Sequence, residues 1–232
     1  MQLLWCEDPA ALDSRAADHV LAAHARNPHL TIALPTGRTP LGLYSVLRQR
    51  RVSLEQARWF NLDEYVGLAA EDPLSYAHFL QVNLLERLAI PDKNIRLLRG
   101  DAPDLQAECL DYDRAIDQAG GLDLAILGLG ANGHIAFNEP GSAWNQATHV
   151  VELSEQTRMT NSRQQGATVP ALGITMGIGT LRAAREILLL VSGETKRDAL
   201  QALRNKQPDS RWPVTSLLDH PAVTVIADAS LR

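Results

Sequence analysis

The chain alternates short apolar, β-rich runs with longer stretches of helical period, and this alternation constrains its fold more than any other feature. The runs are Leu3–Cys6, Leu30–Leu34, Arg58–Leu62, Asn94–Leu98, Leu122–Leu129, His149–Leu153, Glu186–Val191 and Val223–Ala227. Between them, Pro9–Arg26 places Leu12, Ala16, His19, Val20 and Ala23 on one helical face, and Pro9 suits the first turn. A further helix begins near Pro40. Ser75–Leu88, Asp104–Gln118 and Glu194–Arg204 show the same period, each opening near a Ser or an acid that favours a helix N-terminus. Strands that alternate with helices predict an α/β fold with a mostly parallel sheet covered on both faces. Leu122–Leu129 carries almost no polar residue after Asp123, the pattern of a central parallel strand. The polar loop Asn205–Arg211 is too short to separate domains, so one domain spanning residues 1–232 is expected.

Charge and cysteine usage narrow the function classes. The net charge is −5, with acids and bases interspersed and no basic stripe, so no nucleic-acid partner is expected. An anionic small molecule remains compatible, because helix N-termini and a few local cations act at short range. Cys6 and Cys109 lie far apart and form neither a metal spacing nor a disulfide framework, which suits a reducing cytoplasm. The N-terminus lacks a basic segment and meets acid at Glu7, unlike a signal peptide. No uncharged apolar run approaches the roughly 20 residues that cross a bilayer. A soluble, cytoplasmic protein without a membrane partner is expected.

In open α/β sheets, ligands gather beyond the carboxyl ends of the strands. Three strand ends here carry unusual sequence. Ala33–Pro40 passes through Thr36, Gly37, Arg38 and Thr39 into a helix, a junction whose amides and hydroxyls favour phosphate. The same residues also make an ordinary strand-to-helix turn, and they lack the Gly-Lys-Ser/Thr ending of a P-loop. Phe60–Gly67 sets Asp63 and Glu64 directly after a strand, with Asn61 beside them. A desolvated carboxyl near another acid has a raised pKa and can act as a general base; a pair that merely caps the next turn would look the same. Successive strand residues point to opposite sides, so Asp63 and Glu64 should differ in role.

The third strand end, Leu127–Gly141, is the most specific. Gly128, Gly130 and Gly133 surround His134, with Asn132 before it and Glu139 five residues after it. The glycines let backbone approach a ligand, and the carboxylate can fix the imidazole tautomer and raise its basicity. The residues after Gly133 lack helical character, so a nicotinamide-cofactor site is not expected.

Taken together and in this order, Leu34–Pro40, Asn61–Leu68 and Asn132–Gly141 resemble the glucosamine-6-phosphate deaminase family. Ser75-Tyr76, Thr157–Arg163 and Leu190–Lys196 extend the resemblance over most of the chain. It implies a Rossmann-like three-layer α/β sandwich with a mostly parallel central sheet. The implied reaction turns glucosamine 6-phosphate and water into fructose 6-phosphate and ammonium. In that resemblance Asp63 is the base that moves the C2 proton, and His134 opens the pyranose ring with Glu139 orienting it. Thr36, Gly37, Arg38 and Thr39 form the phosphate loop, Gly128 borders the substrate, and Arg163 and Lys196 reach the phosphate. Residues 151–169 correspond to an active-site lid. No metal or organic cofactor is implied, and the seven histidines form no metal-ligand spacing.

The chain departs from the family pattern at several positions. Asn132 stands where Asp is familiar; it can hydrogen-bond His134 but adds no charge, predicting a less elevated imidazole pKa. Arg38 replaces a Gly, and either adds a cation to the phosphate or projects into solvent. Where hexameric members hold an allosteric N-acetylglucosamine 6-phosphate with a basic pair, this chain has His149 and Val151, and Ala143 replaces a Ser. The expectation is therefore a monomer or dimer without that activation. Rival readings are a galactosamine-6-phosphate deaminase, which differs only at the substrate's C4, a 6-phosphogluconolactonase, and a sugar-phosphate sensor. The last two leave Asp63 or Glu139 without a use.

Overall fold

The apolar runs and helical stretches separate as their alternation requires. In the computed structural model, which describes residues 1–232, the order is β1 (Gln2–Cys6), α1 (Pro9–Arg26), β2 (Thr31–Leu34), α2 (Pro40–Arg50), β3 (Arg58–Asn61), β4 (Asp63–Tyr65), α3 (Tyr76–Leu80), β5 (Ile95–Arg96), α4 (Leu105–Gln118), β6 (Leu124–Gly128), β7 (His149–Glu152), α5 (Glu155–Gln165), β8 (Leu172–Thr175), α6 (Ile178–Arg182), β9 (Glu186–Val191), α7 (Arg197–Arg204) and β10 (Val223–Asp228). Side-chain caps start several helices, satisfying amides that have no partner within the helix. Asp8 accepts from Ala11 N at 2.8 Å ahead of α1, Asp104 from Gln106 N and Ala107 N ahead of α4, and Ser75 from His78 N ahead of α3. The helix expected over Ser75–Leu88 is α-helical to Leu80, widens to a π turn at Gln81–Leu85 and ends as a 3-10 turn at Glu86–Leu88.

Seven strands form one parallel sheet in the order β1-β10-β9-β6-β2-β3-β5. Both faces are buried. Along β6, Ala125 and Leu127 join one apolar cluster with α4, α6 and α7, while Leu124 and Ile126 join another with α1 and α2. Strand β9 divides in the same way, Ile187, Leu189 and Val191 against Leu188 and Leu190. A period of two with both faces covered makes a near-continuous apolar run, which is why these strands are readable as central ones. The arrangement is a three-layer α/β sandwich with its sheet in the middle.

The chain winds outward from β2 through β3 to β5, and from β6 through β9 to β10 on the other side. The strand order therefore reverses between β2 and β6, and a crevice opens beyond their carboxyl ends. The segments that follow those two strands are the Thr36–Thr39 turn and the glycine-rich loop after Gly128.

The second sheet departs from the sequence expectation. His149–Leu153 does not join the parallel sheet: β7 pairs antiparallel with β8, and β8 pairs antiparallel with β4. Neither β4 nor β8 is apparent from apolar patterning, because β4 is Asp-Glu-Tyr and β8 contains Gly173 packed under Phe137. The chain leaves the parallel sheet at Leu62, whose amide still bonds Leu34 O (3.1 Å) while its carbonyl accepts from Met176 N (2.8 Å). Gly177, at the start of α6, ties this region to the loop after the candidate site. A Cβ there would lie 2.1 Å from Gln146 O and 2.2 Å from Ala147 O, both rigid backbone atoms. Gly177→Ala is therefore expected to cost about 1–3 kcal/mol through overpacking, lowering Tm by several degrees in calorimetry. An unchanged Tm would show that this contact can relax freely.

Candidate active site

The crevice holds a cavity of about 780 Å³ bounded by Pro35–Thr39, Asp63, Gly128–Asn132, His134, one face of α5, and Ser192, Gly193, Thr195 and Lys196. One end is built by two turns whose amides and hydroxyls could take an anion. Gly37 adopts φ +93°, a conformation that would strain any other residue, and lets the chain turn from β2 into Pro40 at the head of α2. Opposite, Gly193 has φ +92°, and its amide is held by Asp228 at 3.0 Å. Ser192, Thr195 and Lys196 line the same end. Burial lowers the proton affinity of the Lys196 ammonium. Arg38 is exposed and borders the cavity.

One acid here escaped the sequence reading. Asp13 reaches over from α1, accepts a hydrogen bond from the Leu43 amide at the first turn of α2, and has its pKa raised by burial. The signal was Gly42, since any Cβ there would collide with the Asp13 carboxyl at 1.7 Å. An acid already bonded to this first turn leaves the Thr36–Thr39 turn and Lys196 as the remaining positive elements for an anion.

The two adjacent acids differ sharply. Glu64 turns away and caps α3, accepting from Tyr65 N (2.8 Å), Tyr76 N (2.9 Å) and Ala77 N (2.7 Å). Burial still pushes it up to about 7, with these amides opposing the rise. Asp63 lines the cavity, is 6% exposed, and has its pKa raised well above the carboxylate range by burial and then by Glu64. Asn61 is fully buried and structural: its amide nitrogen donates to Asp63 O (2.8 Å) and its oxygen accepts from Leu98 N (2.8 Å) and Tyr112 OH (3.0 Å).

His134 sits across the same cavity in a loop closed by Gly130 N to His134 O (2.9 Å). Gly133, at φ +82°, lies against Trp212, and its carbonyl accepts from Val214 N (2.9 Å). Glu139 Oε2 is 3.9 Å from His134 Nδ1, close enough for charge to act but too far for a hydrogen bond. That oxygen is bonded by Asn132 Nδ2 at 2.7 Å instead. Asn132 does hydrogen-bond His134, accepting from its backbone amide at 3.2 Å. Burial lowers the His134 pKa, Glu139 opposes this and Lys196 adds to it, so the imidazole lies below its ordinary value. The expected carboxylate enhancement is outweighed by desolvation.

Helix α5 presents Gln156, Thr157, Thr160, Asn161 and Gln164 to the cavity. Arg163 is exposed and lies off this face by roughly a quarter turn; the structure does not bring it to the cavity. Thr36, Gly37, Arg38, Thr39, Asp63, Gly128, Asn132, His134 and Lys196 all line it. Glu139 stands immediately behind His134 and Thr157. No group of three or more His, Cys, Asp or Glu side chains converges as a metal site would, and no helix is long and apolar enough to cross a membrane.

A doubly wound sheet that gathers glycine turns, a lysine, a desolvated carboxyl and an imidazole at its switch point has the frame of an α/β enzyme for small molecules. More narrowly, residues 7–226 match the family described as glucosamine-6-phosphate isomerases/6-phosphogluconolactonase, and the chain belongs to it. It is similar to a glucosamine-6-phosphate deaminase of Shouchella clausii, 41% identical over 98% of this chain and 95% of that protein. A monomeric glucosamine-6-phosphate deaminase superposes with a TM-score of 0.96 at 36% identity, over the full length of both chains. A 6-phosphogluconolactonase from Trypanosoma cruzi shares the fold, with a TM-score of 0.82 at 23% identity over 99% of this chain and 95% of that one.

Two outcomes test this geometry. Gly130 has no positive φ, yet a Cβ on it would meet the His134 ring at 2.4 Å, so Gly130→Ala must displace the imidazole. A misplacement of about 1 Å can cost about 10²-fold in rate, and kcat is expected to fall on that scale while circular dichroism stays that of the parent; unaltered kcat would argue against the ring position. Glu64 gives a stability test. The folded state keeps its proton up to about 7, above the ordinary value of 4.5, so its contribution is complete at low pH and fades as pH rises through that range. Glu64 also adds to the rise of Asp63, so removing it relieves part of that rise and both effects make the parent the steeper of the two. Between about pH 5 and about pH 7.5, the parent should lose roughly 1–3 kcal/mol more unfolding free energy than Glu64→Gln in urea titrations. Equal slopes would place the Glu64 carboxyl in water.

Proposed function

We propose that the protein is a glucosamine-6-phosphate deaminase, which converts glucosamine 6-phosphate and water into fructose 6-phosphate and ammonium. The observation that carries this reading is that Asp63 and His134, from distant parts of the chain, line one cavity beside an anion cradle. The phosphate sits against Thr36–Thr39 and the Lys196 ammonium, with Arg38 adding a second cation at the mouth. Held there, remote from the reacting carbons, it orients C1 and C2 towards the two proton-transfer groups.

The closed sugar has to open before its C2 proton becomes acidic. An imidazole that is neutral near neutral pH can take the O1 proton and deliver one to the ring oxygen, which opens the ring to the aldehyde. The lowered proton affinity of His134 supports that role. Asp63 then takes the C2 proton and returns one to C1, through an enolamine. A carboxyl with raised proton affinity suits abstraction from carbon, and the substrate's own ammonium favours its ionised form as substrate binds. Water adds to the resulting C2 imine and ammonium leaves. Each proton transfer by a positioned side chain contributes about 10²–10⁴-fold.

Likeness to a monomeric deaminase along its whole length supports a monomer or dimer for this chain, without hexamer-type activation. A coupled assay should find ammonium and fructose 6-phosphate formed from glucosamine 6-phosphate in preference to the galactosamine epimer; release from neither sugar ends the deaminase reading. In deuterium oxide, Asp63→Asn should lose C2 exchange by about 10²-fold or more, while inorganic phosphate still protects the cavity. Exchange persisting at the parent rate would remove Asp63 as the base.

A further inference from the structure

Glu139 carries more partners than an imidazole-orienting carboxylate needs. Its side chain is 13% exposed, and a charge so placed requires hydrogen bonds. One oxygen, Oε2, faces Asn132 Nδ2 at 2.7 Å and His134 Nδ1 at 3.9 Å. The other, Oε1, accepts from Thr157 Oγ1 at 2.5 Å and lies 3.1 Å from Ser154 Oγ. Both hydroxyls belong to the start of α5, where Ser154 also caps the helix by accepting from Thr157 N at 3.2 Å. Ser154 Oγ and Thr157 Oγ1 are 3.1 Å apart. A hydrogen bond donated by Ser154 to Thr157, and one donated by Thr157 to the carboxylate, make a chain in which each bond strengthens the next.

Thr157 is the one buried residue of α5, at 3% exposure. A helix anchored only for packing would bury a larger apolar side chain there. We propose that Thr157, assisted by Ser154, is a positioning residue that acts through Glu139: by holding one carboxylate oxygen it turns the other towards Asn132 and His134 and sets how strongly the carboxylate draws a proton onto the imidazole. The inference rests on the proposed reaction only in treating His134 as the ring-opening group.

The sign follows from simple electrostatics. A carboxylate that receives a short charge-assisted hydrogen bond shares its charge with the donor, and presents less negative potential to the ring. Thr157 therefore helps to keep the imidazole neutral. The charged groups that act on His134 are Glu139 on its own loop and Lys196 ahead of α7, with Asp63 across the cavity. Within ion-pair distance Glu139 meets only His134. Removing the Thr157 hydroxyl leaves that set unchanged, and the 2.7 Å bond from Asn132 still holds Oε2 in place, so the main change is in how far Glu139 is neutralised.

The test uses the full-length protein without substrate. The His134 ring is titrated by nitrogen-15 NMR in the parent, Thr157→Val and Thr157→Ser, and the acid limb of kcat/KM is followed alongside. Thr157→Val keeps the side-chain shape and loses the donor. It should raise the imidazole pKa by about half a unit or more and move the acid limb of kcat/KM the same way, and Thr157→Ser should restore both. In a Glu139→Gln background the Val substitution should add no further shift, since its route is gone. If Thr157→Val does not fold, Ser154→Ala carries the test, with a smaller rise of the same sign. A ring titration that stays at the parent value, or that moves equally in Thr157→Ser, overturns the proposal. A chain that deaminates with an unmoved titration loses this inference alone. One that shifts but deaminates neither sugar keeps it and loses the proposed reaction.

Discussion

The site depends on one buried amide. Where β3 ends, the chain must leave a parallel sheet for an antiparallel one within two residues, and buried backbone groups at such a junction need partners. The Asn61 side chain supplies them, with bonds to Asp63 O, Leu98 N and the Tyr112 hydroxyl. Tyr112 also donates to Asn61 O at 2.7 Å, so α4 clamps the junction from below. Leu62 completes it by pairing with β2 through its amide and with Met176 through its carbonyl. The consequence is directional. The switch of sheets leaves Asp63 at the crevice and turns Glu64 inward to the amides of α3, so two neighbouring acids end in different chemistry.

Burial then divides the ionisable groups by type. Desolvation disfavours whichever form is charged, raising acids and lowering bases. In this cavity it lifts Asp63 and lowers His134 and Lys196. The rise suits the Asp63 carboxyl to proton abstraction, and the fall keeps the His134 imidazole neutral and able to accept a proton. Glu139 opposes the trend at His134, but its charge is already distributed over an amide and a threonine hydroxyl. Local hydrogen bonding thus sets how much of a nearby charge is felt, and proximity alone overstates it.

Much of this architecture is legible in the sequence because its signals are local. The doubly buried strands declare themselves by unbroken apolar runs, as in Leu124–Gly128 and Glu186–Val191, and the helix starts by Asp8-Pro9, Ser75 and Asp104. The loops after β2 and β6 are conspicuous because glycines and hydroxyls follow directly on strands, which leads to Thr36–Thr39 and His134. What escapes detection is set by pairing at long range. Strands β4 and β8 are three and four residues long and gain their strand character from each other. Asp13 belongs to the cavity only because Gly42 leaves room for it from another helix. The side of α5 that faces the cavity is equally hidden, since a helix with polar residues all round has no apolar stripe to orient it; Arg163 falls outside that side.

That absence of an apolar stripe bears on how the cavity is closed. The floor and the anion cradle are extensions of strands whose side chains lie in two large apolar clusters, and moving them would expose that surface. Helix α5 buries Thr157 alone and is attached by hydrogen bonds: to Glu139, and through Asn161 Nδ2 to Tyr65 OH (2.8 Å) and Tyr76 OH (3.3 Å). Water can replace hydrogen bonds at modest net cost, whereas it cannot replace apolar contact. Few apolar contacts thus hold α5 to the body, and the carboxylate its threonine bonds is the one beside the imidazole. The hold on α5 and the electrostatic setting of His134 are in this way two readings of the same few hydroxyl contacts.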